Sequence, residues 1–132
     1  MAIIQHGILE ATKHTDLDLN ATAEELASSA KTIYGMEIDN TNNSVDVFVK
    51  CYDTNNASPP TVGTTVPDMI IRVGAGKIRS VSSTRGTVSG GNVTPAAGFA
   101  FGTGLYMACV TAGGTAGTTG PTEDVKATVY TN

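Results

Sequence analysis

From Val45 to Tyr52 the side chains alternate, with Val45, Val47, Val49 and Cys51 on one face and Asp46, Phe48, Lys50 and Tyr52 on the other. A period of two is what a half-buried strand requires. A polar segment holding Pro59, Pro60 and Pro67 follows, and Met69–Val73 then resumes an apolar run. The prolines fix φ and remove amide donors, so the pattern predicts two strands joined by a pinned loop. Further extended segments are predicted near Ile3–Ile8, Thr15–Asn20, Thr32–Asn40, Lys77–Ser82, Phe99–Phe101, Leu105–Thr111 and Val125–Thr131. Both faces of Leu105–Val110 are apolar, Leu105, Met107 and Cys109 against Tyr106, Ala108 and Val110. That strand is expected to lie centrally, or under a second subunit.

Turn chemistry divides these runs. Asn40–Ser44 is rich in asparagine, which tolerates left-handed dihedrals and bonds its own backbone. It predicts a hairpin between Thr32–Asn40 and Val45–Tyr52, with Tyr34, Met36, Ile38, Val47 and Val49 buried. Gly113–Pro121 is too glycine-rich for regular structure. Thr22–Ala27 opens with capping-box spacing but is too short for an autonomous helix, so extended structure or a single turn is expected. Eight or nine short strands with regular turn signals predict an all-β fold, a single antiparallel β-sandwich or jelly-roll-like domain. It would span residues 1–132, with 1–14 as an extended arm.

The 132 residues are enough for one two-layer core. Charged residues make up 15% of the chain and there is no Trp, while Gly, Thr, Asn and Val favour strands with many turns. No apolar run approaches the roughly 20 residues of a membrane span, so no membrane partner is expected. The N-terminus lacks the basic start and apolar stretch of a signal peptide, which predicts a product that begins in a cytoplasm. The net charge of −4 is unevenly placed: residues 1–66 carry nine acids and three bases, residues 67–132 three acids and five bases. Between Met69 and Thr122 there is no acid, and Arg72, Lys77, Arg79 and Arg85 cluster there. Two readings stay open, a solvated basic loop or a patch docking on an acidic partner surface. Without interleaved aromatics the cluster gives no reason to expect nucleic acid.

Catalytic and ligand motifs fail on inspection. Asp16-x-Asp18-x-Asn20 begins like a calcium loop, but Ala21 replaces the turn glycine and Ala27 the bidentate glutamate. Gly74-Ala75-Gly76-Lys77 lacks the first glycine of a phosphate loop, and Ile78 stands where Ser or Thr would hold magnesium. His6 and His14 have no partner at metal-ligand spacing. Cys51 and Cys109 sit on predicted strands and read as small buried hydrophobes. No nucleophile elbow is present, and Glu24-Glu25 and Glu123-Asp124, being adjacent, would point to opposite faces of a strand. No catalytic residue, metal or cofactor is therefore expected, nor an enzyme.

Val49-Lys50-Cys51-Tyr52-Asp53 followed by Pro60-Thr61-Val62-Gly63-Thr64-Thr65-Val66-Pro67 resembles a block of small tailed-bacteriophage virion proteins. There a K-x-Y-D strand precedes P-x-x-G-T-x-x-P and an apolar strand. Ile33–Met36 with Asp39–Thr41, Phe101–Tyr106 and the Asp124–Tyr130 strand are similar as well, so the likeness covers most of the chain from Lys31 onward. The segment Lys77–Pro95 and the Gly74–Gly76 loop depart from it. The resemblance implies a structural protein of the virion, made in the bacterial host cytoplasm. Within the virion it suggests a capsid cement or decoration protein that clamps neighbouring capsomers, binds the major capsid protein and self-associates as a homotrimer. A tail, baseplate or head-fibre component is the alternative. A carbohydrate-binding module is the third, although most aromatics fall on strands where core packing explains them.

Overall fold

The computed structural model describes residues 11–82, 87–89, 92–94 and 98–132, with the backbone alone for 87–89 and 92–94. In chain order the strands are β1 (Thr12–Leu19), β2 (Glu24–Ala27), β3 (Lys31–Asp39), β4 (Val47–Tyr52), β5 (Met69–Val73) and β6 (Ile78–Ser82). There follow β7 (Thr87–Ser89), β8 (Asn92–Thr94), β9 (Phe99–Phe101), β10 (Leu105–Val110) and β11 (Val125–Thr131). One sheet runs β1-β11-β3-β6, with β9 continuing the β6 edge alongside β3; the other runs β2-β10-β4-β5. All pairs are antiparallel, and the two sheets pack face to face as a single β-sandwich. The described residues include no helix long and apolar enough to cross a membrane.

Alternation fills the space between the sheets. Val47, Val49 and Cys51 of β4, with Ile71 and Val73 of β5 and Leu105, Met107 and Cys109 of β10, form one wall. Ile33, Met36, Ile38, Val125, Ala127 and Val129 form the other. Each fully buried valine contributes roughly 1.5–3 kcal/mol by leaving water. Both cysteines are free and buried, as the sequence suggested. Burial pushes each thiol up to about 12, so neither is reactive near neutral pH.

The expected pairing across Asn40–Ser44 does not form. β3 lies between β11 and β6 in one sheet, and β4 between β10 and β5 in the other. Alternation identifies a strand but not its partner: Met36 and Ile38 meet Val47 and Val49 across the core rather than side by side. The asparagines serve the crossover instead. Asn40 is fully buried, its backbone N–H donates to Lys77 O at 2.9 Å, and its Nδ2 reaches Val45 O at 3.0 Å, Gly74 O at 3.1 Å and Val73 O at 3.4 Å. Asn43 Nδ2 donates to Glu123 O at 3.0 Å and its Oδ1 accepts the Glu123 N–H at 2.9 Å. Two asparagine side chains thus tie three crossovers together.

Other expectations shift by smaller steps. Tyr34 is only half-buried, because a register break opposite Tyr130 and Thr131 turns Ile33 into the core in its place. The arm expected over 1–14 is already strand β1 from Thr12, where it pairs with Thr131. Thr22–Ala27 resolves as extended structure, with β2 on the sheet edge. The short β7–β8 ladder was not foreseen, and the segment expected at Ile3–Ile8 lies outside the described residues.

Replacing Asn40 tests the crossover. Asn40→Ala leaves buried carbonyls without donors and should cost about 2–3 kcal/mol. Asn40→Asp, which sets a carboxylate against those carbonyls, should cost more. Urea unfolding at neutral pH measures both, and an Asn40→Ala change within 0.5 kcal/mol of wild type, about the usual scatter of surface mutants, contradicts the assignment.

Candidate functional site

The predicted basic cluster lies where the β5 and β6 edges of the two sheets meet. Ile71 and Val73 face the core, and Arg72 points outward. A turn at Gly74–Lys77, closed by the Lys77 N–H to Gly74 O at 3.1 Å, carries the chain across to β6. Arg79 Nη1 donates back to Arg72 O at 2.7 Å, so the two arginines are in direct contact. Lys77 is exposed beside them, and Arg85 lies outside the described residues.

This edge is less basic than the sequence suggested. The Arg72 guanidinium forms an ion pair with Asp46, whose Oδ2 accepts its Nε at 3.1 Å and also contacts Nη2. Asp46 Oδ1 accepts the Ala75 N–H at 3.0 Å. The Arg72 hydrogen bond, followed by the Ala75 amide, holds the Asp46 carboxyl below its ordinary value. Asp46 was missed because it precedes the acid-free stretch by more than twenty residues and arrives through the β3–β4 crossover. Its position just ahead of β4 is the only trace in the chain.

On the outer face of the β2-β10-β4-β5 sheet, the segments that carry the virion resemblance meet one another. Lys50 is fully buried there, and its Nζ donates to Gly117 O at 2.7 Å and Thr115 O at 2.9 Å. Burial lowers its pKa. Tyr52 packs with Tyr106 and Ala108 under Ala23 and Val62, and Tyr106 Oη donates to Asn56 Oδ1 at 2.5 Å. Asp53 accepts the N–H groups of Thr103 at 2.8 Å, Gly102 at 2.9 Å and Gly104 at 3.4 Å. Gly104 fits only because it lacks a side chain, since a Cβ would stand 2.6 Å from Thr54 O and 2.7 Å from Ala27 O. The chain's own loops therefore cover the apolar outer side of β10, and no second subunit is needed to bury it.

The opposite edge gathers acids. β1 bulges at Leu17–Asp18, where its register with β11 shifts between Asp16 and Leu19. The Asp18 N–H donates to Asp16 Oδ1 at 3.0 Å, and Asn20 turns the chain into β2 by accepting the Thr22 N–H at 2.8 Å. One carboxylate oxygen from each of Asp16, Asp18 and Glu24 then lies within 4.8 Å of the others. They line an open cleft of about 320 Å³ with His14, Glu25 and Leu26. His14 Nε2 lies 3.0 Å from Thr131 Oγ1, and the Glu25 carboxylate is occupied by the backbone and side-chain amides of Asn56. Asp16 is 7% exposed, and its Oδ2 has no hydrogen-bond partner among the described residues. Burial raises the Asp16 pKa, and with the smaller push of the Glu24 carboxyl it outweighs the lowering by the Asp18 amide and side chain. The sequence had set Asp16 and Asp18 aside because the third acid was sought downstream in one loop, not on the neighbouring strand.

A scan against protein-family models, a search of the curated proteins and a search of the solved structures each return no match.

Asp53 gives a pH test of the buttress it forms. Burial raises its pKa, but the amides of Thr103, Gly102 and Gly104 outweigh that and leave the net value lowered. A depressed folded-state pKa gives stability that is complete above the unfolded value, about 3.9, and is lost as pH falls toward the folded value. Asp53→Asn should therefore be less stable than wild type by about 1–2 kcal/mol at pH 7, a gap that narrows below about pH 4. Urea titrations at both pH values check it, and a gap that does not change with pH contradicts it.

Proposed function

We propose that this protein is a structural component of a bacteriophage virion, a capsid cement protein that binds the major capsid protein and clamps neighbouring capsomers. The observation that carries this reading is the mutual locking of the resembling segments. Lys50, Tyr52 and Asp53 of the K-x-Y-D block brace the loops at Gly102–Gly104 and Thr115–Gly117, and Tyr52 packs on Tyr106. The part of the likeness in the K-x-Y-D block and in Phe101–Tyr106 therefore falls on residues that lock onto one another.

Rigidity suits a clamp. A protein that bridges subunits gains from many modest contacts, because each one formed raises the effective concentration of the next. The outer face of the β1-β11-β3-β6 sheet offers such a surface, with Lys13, Thr15, Glu37, Ser80, Lys126 and Tyr130 exposed in adjacent rows. Lys77 and Arg79 stand beside it on the β5–β6 edge, where Arg79 turns toward β5, and would meet an acidic shell there. The homotrimer rests on the resemblance, since β10 is covered within one chain.

Purified protein should bind expanded heads and decorate their exterior in cryo-EM maps. Density confined to the tail or baseplate would move the assignment to the tail alternative, and a monomer that ignores particles would end the cement reading. Lys77→Glu with Arg79→Glu should slow attachment at least several-fold while changing thermal stability little, because rim charges mainly set association rate. The wild-type rate should itself fall with added salt, as exposed charges are screened over about 10 Å at 0.1 M. Equal attachment rates for the two proteins across a salt series would remove these side chains from the docking surface.

A further inference from the structure

We propose that Asp16, Asp18 and Glu24 form a binding site for a hard divalent cation, calcium by the chemistry of its ligands, that joins the two sheets at their β1 and β2 edges. This inference is independent of the virion reading.

Three observations carry it. The first is geometry: oxygens bound at about 2.3–2.6 Å to calcium lie no more than about 5 Å from one another, and three carboxylate oxygens here fall within 4.8 Å. The second is the state of Asp16. It is more than nine-tenths buried, its Oδ1 is engaged by the Asp18 N–H, and its Oδ2 has no partner among the described residues. A buried carboxylate oxygen without a donor is costly, and a second carboxylate beside it increases the cost. The third is the absence, among the described residues, of any lysine or arginine in ion-pair range of the three acids. A cation would relieve both the orphaned oxygen and the mutual repulsion.

The donor set selects the class of ion. Carboxylate oxygens with neither thiolate nor a converging pair of imidazoles favour a hard cation over zinc or copper. Calcium accepts six to eight oxygens in irregular arrangements, whereas magnesium demands near-ideal octahedral geometry. A bulged strand, a neighbouring strand end and an open cleft of about 320 Å³ suit the former, with water completing the shell. Asp16 and Asp18 belong to one sheet and Glu24 to the other, so the ion would fasten the sandwich at an edge where the strands share few contacts. The competing way to relieve Asp16 is a proton shared with Glu24.

Calorimetric titration of the full-length, chelator-stripped protein with calcium chloride distinguishes the two. Binding of one ion per chain is expected, with a thermal midpoint raised by roughly 10 °C when calcium exceeds Kd a hundredfold. Asp18→Asn and Glu24→Gln should weaken binding at least tenfold. Asp16→Asn should abolish the calcium response while unfolding at a higher temperature than the metal-free wild type, because it removes a buried charge. No heat and no shift at about 10 mM calcium, beyond the range of weak calcium sites, would overturn the proposal. So would an undiminished response in Glu24→Gln, and an equal response to magnesium would overturn the assignment to calcium.

Discussion

Six consecutive buried residues, Leu105–Val110, leave strand β10 no solvent face. One side of β10 is covered by the opposite sheet, which the fold supplies anyway. The other side requires a second cover, and most of the irregular structure follows from that demand. Residues 53–68 and 111–121 are long because they must reach over a sheet, and a buried lysine is tolerated because its ammonium is the donor the overlying carbonyls need. A cover made of loops brings backbone polar groups into the interior, and each must find a partner there. Lys50 provides them for Thr115 and Gly117, as Asp53 does for the Gly102–Gly104 turn and Asn40 for the crossovers.

The sequence displayed its strands well and their partnerships poorly. Met69–Val73, Phe99–Phe101 and Val125–Thr131 end where turn residues and alternation say they should, because those signals are local. The Asn40–Ser44 link carries the same asparagine chemistry that a hairpin would use, yet it changes sheets. What distinguishes the two outcomes is whether Val47 and Met36 share a face or oppose one another, and alternation is identical in both cases. The proline-pinned link from Tyr52 to Met69 does join neighbouring strands of one sheet. Its length gave no advance warning that it would also serve as a lid.

Charge clusters were legible only in part, and for the same reason. Counting acids along the chain isolated Arg72 and Arg79 correctly as neighbours, but Asp46 enters from the β3–β4 crossover and neutralises one of them. Asp16 and Asp18 were visible as a pair, while Glu24 becomes their companion through the bulge at Leu17–Asp18 and the turn at Asn20. Spacing rules for ligand loops assume one continuous segment. Here two strand edges supply the oxygens, and no linear motif describes that.

The place of β11 has a consequence for how the protein is made. Strand β11, which follows the others in sequence among the described residues, sits inside its sheet, between β1 and β3, and pairs with both. Until residues 125–131 leave the ribosome, the two earlier strands hold open a gap one strand wide, each with an unpaired row of amides and carbonyls. Folding of that sheet therefore waits for β11, and its core wall of Val125, Ala127 and Val129 arrives in a single step. During synthesis the nascent chain presents two strand edges of the kind that pair with other chains. Chaperone protection of those edges, rather than any property of the finished sandwich, would then set how much protein a cell recovers.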